Sequence, residues 1–372
     1  MDDNITIKII HNNTFEFSPN NNKSIQYIDK HNLSIISKIK KKIDSKNIKK
    51  NWKEYRLYTN KYEQIFNKSN MYMSISRKYP VSRSFFKLHE MIFDYDLINY
   101  SQSTFTYAGL AEAPGGFIQA VQYNRKKQYV GRFDKYFCIS LINDTDSNSP
   151  SWAKIFNNIS NITFVKGTDN TGNILKIENI LDFKNTVNVN KMDLITADGA
   201  INNIKSYEQE QNNFKLFFSE IVIALSIQRV GGHFVLKIFD IITSITMEII
   251  HLLSKYYEEI IITKPHMSRP ANSEKYIIAK KFKGIETNIL QKMYDCYNDL
   301  NFTSLTTSKL PDIILKQILK FNNLIIKKQA NSIHDVIDLI HSTKPNIDIE
   351  NNLKLQKKIG IEWCDFYKID HI

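Results

Sequence analysis

Apolar and polar positions divide the chain into three stretches. From residue 76 to residue 284, short apolar runs alternate with segments of helical period. Strands are expected at Phe105–Leu110, Tyr136–Leu141, Thr163–Lys166, Asp193–Ala197, His233–Phe239 and Tyr276–Lys280. Helices are expected between them, notably Phe117–Arg125 and a long Glu208–Arg229 that Gly231 and Gly232 would end. Strands that alternate with helices predict an α/β fold, with a mainly parallel sheet covered on both faces. Ligands of such sheets sit at the carboxyl ends of the strands, beside the point where strand order reverses.

Residues 1–75 form an N-terminal extension. Alternating Ile5, Ile7 and Ile9, followed by Phe15 and Phe17, predict a short hairpin around residues 11–14. The run KIKKKIDSKNIKKNWKEYR at 38–56 then carries lysines around most of a helix, as a solvated face or as a strip that contacts phosphates. Residues 285–372 read as a helical C-terminal extension: Thr287–Tyr297, Leu310–Phe321, Ser332–His341 and Asn351–Ile359. No turn-rich linker separates it from the core, so it is expected to pack there.

Composition narrows the class. With 42% hydrophobic and 24% charged residues, the chain has the means to bury a sizeable core, which excludes disorder and collagen-like repeats. Three dispersed cysteines, Cys138, Cys296 and Cys364, exclude a disulfide scaffold and indicate a reducing, intracellular compartment, with the cytoplasm favoured over the nucleus. No apolar run is long enough for a membrane span, and MDDNITIKII is not a signal peptide, so no membrane partner is expected. The net charge of +12 points to a polyanionic partner, nucleic acid first. Part of that charge reflects abundant Ile, Asn and Lys, whose codons are A/T-rich.

Five local motifs carry candidate chemistry. In YAGLAEAPGGF at 107–117 an apolar strand ends in a Pro-Gly-Gly turn that opens a helix, and Gly115 and Gly116 are expected to let a ligand approach the backbone. The turn matches neither GxGxxG nor a Walker A loop, which argues against a nucleoside triphosphate. In MDLITADGA at 192–200 a strand delivers Asp198 to its carboxyl end, facing a site or capping the next helix. In GGHFVLKIFD at 231–240, Lys237 interrupts an otherwise apolar strand, which is costly unless the amine is paired or useful. KPHMSRPANSEKYIIAKKFKG at 264–284 places Arg269 and Glu274 in a proline-constrained loop before the last strand. SRKYPVSRSFFKLHEM at 76–91 sets Lys87 among Phe85, Phe86, Leu88 and Met91 on a helix, with Arg83 just before it.

The order Lys87, Asp198, Lys237, Glu274, with APGG between the first two, resembles the FtsJ/RrmJ-type ribose 2′-O-methyltransferases over about residues 76–284. SRPANSEKY and the long helix running into GGHFVLKIFD look most like the mRNA cap-specific 2′-O-methyltransferases of eukaryotes and large DNA viruses. The resemblance implies a Rossmann-like S-adenosylmethionine-dependent methyltransferase fold. It implies catalytic Lys87, Asp198, Lys237 and Glu274. For the cofactor it implies contacts from Glu112, Ala113, Pro114, Gly115, Gly116, Phe117 and Asp198, with Asp169 facing the adenine amino group. Many relatives carry an Asp where this chain has Gly109, and Glu112 is the nearby acid. The second strand ends without the acid that holds ribose hydroxyls, leaving Ser140 or Asn143 in its place.

The chemistry then expected is methylation of a ribose 2′-hydroxyl near the 5′ cap, releasing S-adenosylhomocysteine. Lys237 is the general base, its pKa depressed by burial and by Lys87, while Asp198 and Glu274 fix the lysine heads. Arg83, Arg269 and the lysine strip would contact RNA. Capped mRNA is the expected partner, together with other capping enzymes. No CxxC or HxxxH spacing occurs, so no metal is expected. Methylation of rRNA or tRNA is the competing enzymatic reading, and an idle RNA-binding subunit the competing non-enzymatic one.

Overall fold

A computed structural model describes residues 5–10, 14–21, 25–67, 73–128, 133–142, 151–156, 159–201 and 209–372. Asn143 lies outside the described residues.

Eight strands form one sheet: β1 (Thr6–Ile9), β2 (Thr106–Leu110), β3 (Lys135–Ile139), β4 (Ile162–Val165), β5 (Met192–Ala197), β6 (Gln228–Ile238), β7 (Tyr257–Thr263) and β8 (Lys275–Phe282), in the order β1-β7-β8-β6-β5-β2-β3-β4. Strands β4, β3, β2, β5 and β6 are parallel, whereas β8 runs antiparallel to both β6 and β7. Strand order reverses between β2 and β5, so the crevice lies at their carboxyl ends.

The helices are α1 (Lys30–Ile43), α2 (Lys46–Thr59), α3 (Ser84–Tyr95), α4 (Gly116–Gln128), α5 (Ile177–Val187), α6 (Gln209–Asn212), α7 (Phe214–Ile227), α8 (Ser244–Tyr256), α9 (Thr287–Asp295), α10 (Asp312–His341) and α11 (Pro345–Phe366). Successive strand side chains point to opposite faces. Ala108, Leu110, Ile195 and Leu236 join α5, α7, α8 and α10 in one core. Tyr107, Leu194, Val235 and Tyr276 join α3, α4 and α11 in the other. The same period assigns Thr196, Asp198, Lys237 and Glu274 to the α3 side.

Several elements differ from their sequence pattern. Residues 14–19 form no strand; β1 pairs instead with β7. Phe15 packs against His251 at 5.1 Å and Phe17 against Phe218 at 6.3 Å, so both serve the core. The long helix breaks at Asn213, whose side chain accepts from Ile201 N at 2.7 Å, and it ends at Ile227, with Gly231 and Gly232 inside β6. The two helices expected across 310–341 are one, α10. Its polar middle is buried and bonded: Asn322 donates to Asp29 and Ile241 O, and Gln329 to Ala271 O. The lysine strip bends at Asp44–Ser45, between α1 and α2. Strand β7 follows α8 without a turn, which hid it within the apolar run.

Candidate active site

Each of the four expected catalytic side chains is delivered by a different element. Lys87 projects from the first turn of α3, whose Phe85, Phe86, Leu88, Met91 and Ile92 are buried. Asp198 follows β5, with its N–H held by Leu110 O at 3.2 Å. Lys237 lies on β6 and Glu274 immediately precedes β8. The structure brings all four together. Lys87 Nζ lies 2.6 Å from Glu274 Oε1, and Lys237 Nζ lies 3.1 Å from Asp198 Oδ1 while also donating to the Asp198 carbonyl.

Electrostatics differ from expectation at Lys237. Burial would lower its pKa, yet Asp198 and Glu274 outweigh burial and hold it above the ordinary lysine value. Burial likewise pushes Glu274 up, but Lys87, Lys237 and Lys264 overcome it and keep the carboxylate ionised. Lys237 is therefore an ammonium at rest, contrary to the depressed pKa expected of it.

Sequence reasoning missed the scaffold around the four. Tyr276, fully buried, points its hydroxyl at Asp198 Oδ1 (3.1 Å) and Glu274 Oε1 (3.3 Å). Its spacing two residues after Glu274 on a strand was the available signal. Glu90, one turn beyond Lys87, accepts from His266 N at 2.6 Å and Met267 N at 3.2 Å, tying α3 to the loop that carries Glu274. Lys264 donates to Asn272 Oδ1 and to the Glu274 carbonyl within that loop. Buried Glu220 reaches Gly199 N from α7. Glu90 and Glu220 were invisible because their partners lie on distant segments of the chain.

The cofactor loop is also corrected in part. Glu112 turns inward: its Oε1 lies 3.0 Å from the Tyr107 hydroxyl and 2.6 Å from Thr196 Oγ1, and those two hydroxyls are 2.6 Å apart. Three mutually bonded oxygens need three protons, which a carboxylic acid, a phenol and an alcohol supply. Burial accordingly raises the Glu112 pKa well above the carboxylate range. At Gly115 and Gly116 the space a side chain would take is filled by protein. A Cβ at Gly115, where φ is +106°, would meet Phe156, and one at Gly116 would meet the Ser82 and Ser84 hydroxyls. Phe117 is buried against Tyr276, with ring centroids 6.2 Å apart.

Asp169 is exposed and bonded within its own loop. It accepts from Thr171 and Asn179 and pairs with Lys176 at 2.6 Å, ordering its own loop. Ser140 is buried at the end of β3. Ala111, Ala113 and Pro114, after β2, are partly exposed, and Asp198, after the neighbouring β5, is bonded through its N–H to Leu110 beside them. Small side chains and an anion at the same end of the sheet fit a cationic nucleoside such as S-adenosylmethionine.

Arg83 and Arg269 are likewise turned to structural use. Arg83 donates to the carbonyls of Met267, Glu63 and Tyr62, so its guanidinium is bound to protein. Arg269 forms a two-pronged pair with Glu63 at 2.9 and 2.6 Å. Within the strip, Lys40 is buried on Asp240 and Ser273, whereas Lys41, Lys42, Lys49, Lys50 and Lys53 remain exposed. Among the described residues no group of three His, Cys, Asp or Glu is placed to hold a metal, and no helix is long and apolar enough to cross a membrane.

A doubly wound sheet that continues past β6 into antiparallel β8, β7 and β1, with charged groups gathered at the strand ends, defines a methyltransferase of the Rossmann-like class. Residues 80–282 match the FtsJ-like methyltransferase family, and the chain belongs to that family. It is similar to cap-specific mRNA (nucleoside-2′-O-)-methyltransferase 1 of Dictyostelium discoideum, at 31% identity over 73% of this chain and 40% of that protein. A second relative is the probable methyltransferase EP424R of African swine fever virus, at 27% identity over 72% of this chain and 69% of the relative. The cap-specific methyltransferase 1 of Trypanosoma brucei brucei is 27% identical over 72% of this chain and 75% of its own length. The chain thus spans well under half of the Dictyostelium relative.

Proposed function

We propose that the chain methylates a ribose 2′-hydroxyl near the 5′ cap of mRNA, on the first or second transcribed nucleotide, with S-adenosylmethionine as donor. The observation that carries this reading is the closed Lys87–Glu274 and Asp198–Lys237 cluster at the switch point, joined by Tyr276. Ala111, Ala113, Pro114 and Asp198 would hold the donor. Bound there, it supplies an electrophilic methyl group on a sulfonium. Lys237 takes the hydroxyl proton as the oxygen bonds to carbon, and the carbon–sulfur electron pair leaves with sulfur. Lys87, fixed by Glu274, orients the hydroxyl, so that much of the acceleration comes from alignment. Because Lys237 rests as an ammonium, it must first lose its own proton to act as a base.

A cavity of about 280 Å³ beside the Glu274 loop is lined by Trp52, Arg56 and Arg269. The aromatic plane of Trp52 and the guanidinium of Arg56 there suit an RNA strand. The test is incubation with donor and with capped or uncapped RNA of one sequence, followed by nuclease digestion and mass spectrometry. A 2′-O-methyl group on the first or second nucleotide of capped RNA alone supports the proposal. Equal methylation of uncapped or internal positions overturns its cap specificity.

A further inference from the structure

Glu112 lies in the loop after β2, between Ala111 and Ala113, and its carboxyl is buried against two side chains of the sheet, Tyr107 on β2 and Thr196 on β5. Thr196 Oγ1 lies 2.6 Å from Glu112 Oε1, the Tyr107 hydroxyl lies 2.8 Å from Oε2, and the two hydroxyls are 2.6 Å apart. Each side of this triangle needs one proton. The acid, the phenol and the alcohol supply three, so the ring closes with every group donating once and accepting once. Gly109, opposite Thr196 in the β2–β5 pairing, leaves the room for it. A Cβ there would lie 2.7 Å from Glu112 Oε1 and 3.2 Å from the Tyr107 hydroxyl.

The ring anchors a loop whose backbone is not at ease. Ala111 adopts a φ of +53°, a conformation that is costly for any residue with a Cβ. Its N–H donates to Ile139 O at 2.8 Å, and the Gly115 N–H donates to the Glu112 carbonyl at 2.9 Å. Between those two backbone bonds, the Glu112 side chain ties the loop to both β2 and β5.

We propose that Glu112 is a positioning residue for the methyl donor: through its ring with Tyr107 and Thr196 it holds the Ala111–Pro114 loop in the shape that binds S-adenosylmethionine, without touching that molecule. This rests on the reading of the loop as the cofactor site. The apparent affinity of a site falls with the fraction of molecules in which the site is formed. Opening the ring therefore weakens S-adenosylmethionine and spares RNA.

The experiment is calorimetric titration of the full chain with S-adenosylmethionine, beside RNA-binding titrations and thermal unfolding. Glu112→Ala should weaken S-adenosylmethionine about tenfold or more, the loss that follows from leaving buried polar groups unpaired. RNA affinity should be unchanged. Glu112→Gln should restore the cofactor, because an amide also brings one donor and one acceptor to the ring. Gly109→Ala should displace the Glu112 carboxyl and weaken S-adenosylmethionine as well. The combined Gly109→Ala, Glu112→Ala variant should then be no weaker than Glu112→Ala alone, since the two changes break the same contact.

Unchanged cofactor affinity in Glu112→Ala, even with a lower melting temperature, overturns the inference, and so does an equal loss of RNA affinity. Lost affinity in Glu112→Gln would show an ionic contact with the cofactor, and losses that multiply in the combined variant would show two independent effects; either overturns it. Should Glu112→Ala not fold, Tyr107→Phe decides, because it opens the ring from a fully buried position on β2. Weaker S-adenosylmethionine in that variant supports the inference, and unchanged affinity overturns it. If the unmodified protein does not bind S-adenosylmethionine, the cofactor site itself is misread and the inference falls with it.

Discussion

Lys237 and Tyr276 stand directly opposite each other across the antiparallel β6–β8 pair, and both point to the α3 face. The lysine pairs with Asp198, and the phenol reaches Asp198 and Glu274. One cross-strand pair thus joins the ends of β5, β6 and β8 into a single charged cluster. Directly opposite residues on a sheet are the natural place for such coupling.

The first prediction separates base from bystander. Lys237→Met keeps most of the apolar volume and loses the amine, so methyl transfer should fall about 10²–10⁴-fold while donor binding persists. Lys237→Arg should be nearly as inactive, because a guanidinium stays protonated. With Asp198 and Glu274 holding Lys237 above its ordinary pKa, the rate should climb with pH through neutrality. Retention of more than about a tenth of the rate in Lys237→Met, at saturating donor and RNA, leaves the cluster a structural charge network.

Tyr276→Phe should spare the fold, since the ring beside Phe117 is kept. It removes the proton that bridges two carboxylates, a loss of about 1–3 kcal/mol for a buried group. Transfer should fall about tenfold or more, through misplacement of Asp198 and Glu274. An unchanged rate in a stably folded variant shows that the lysines alone hold the two acids.

How far the sequence revealed this site follows from the range of each interaction. Strand and helix periods are local, and they located β2, β5, β6 and β8 to within a few residues apart from the early start of β6 at Gln228. The sense and neighbours of β8 are not local, so the meeting of Lys237 with Tyr276 was hidden. Glycines mislead for a related reason. Gly116 looks the same in sequence whether the missing Cβ makes room for a ligand or for Ser82 and Ser84. Arg83 and Lys40 show the same limit for charge: composition marks both as available cations, and tertiary packing buries them on carbonyls and on Asp240.

Gly116→Val follows from that geometry. The new side chain would press on Ser82, Ser84 and the start of α3, which carries Lys87. Overpacking of this kind costs about 1–3 kcal/mol. A lower melting temperature should therefore accompany any loss of donor binding. Lost donor binding with an unchanged melting temperature would return Gly116 to a direct cofactor contact.

Glu63 gives a pH-dependent contribution with a definite sign. Burial raises its pKa, but Arg83 and Arg269 outweigh burial and bring it from 4.5 to about 2. Its contribution is present above the unfolded pKa and is lost as pH falls from about 4.5 towards 2. Linkage sets the size at about 3 kcal/mol. Glu63→Gln should cost that much at neutral pH and little at pH 2, as measured by denaturant unfolding across the window. An equal cost at both ends would assign the effect to packing.

The last prediction concerns the basic strip, whose lysines differ in what they can touch. Lys41 and Lys42 are exposed on α1, whereas Lys40 lies 3.2 Å from Asp240 and 2.8 Å from Ser273. Of these three, the exposed pair is placed to displace counterions from RNA. Replacing Lys41 and Lys42 by Gln should lower the slope of log affinity against log salt by about 0.7 for each phosphate no longer neutralised. Lys40→Gln should leave that slope alone and lower the melting temperature, because Asp240 loses a buried cation and keeps Lys275. Binding titrations at several salt concentrations, run beside thermal unfolding, separate the two effects. If the Lys41 and Lys42 replacements leave the slope unchanged, the strip is a solvated face.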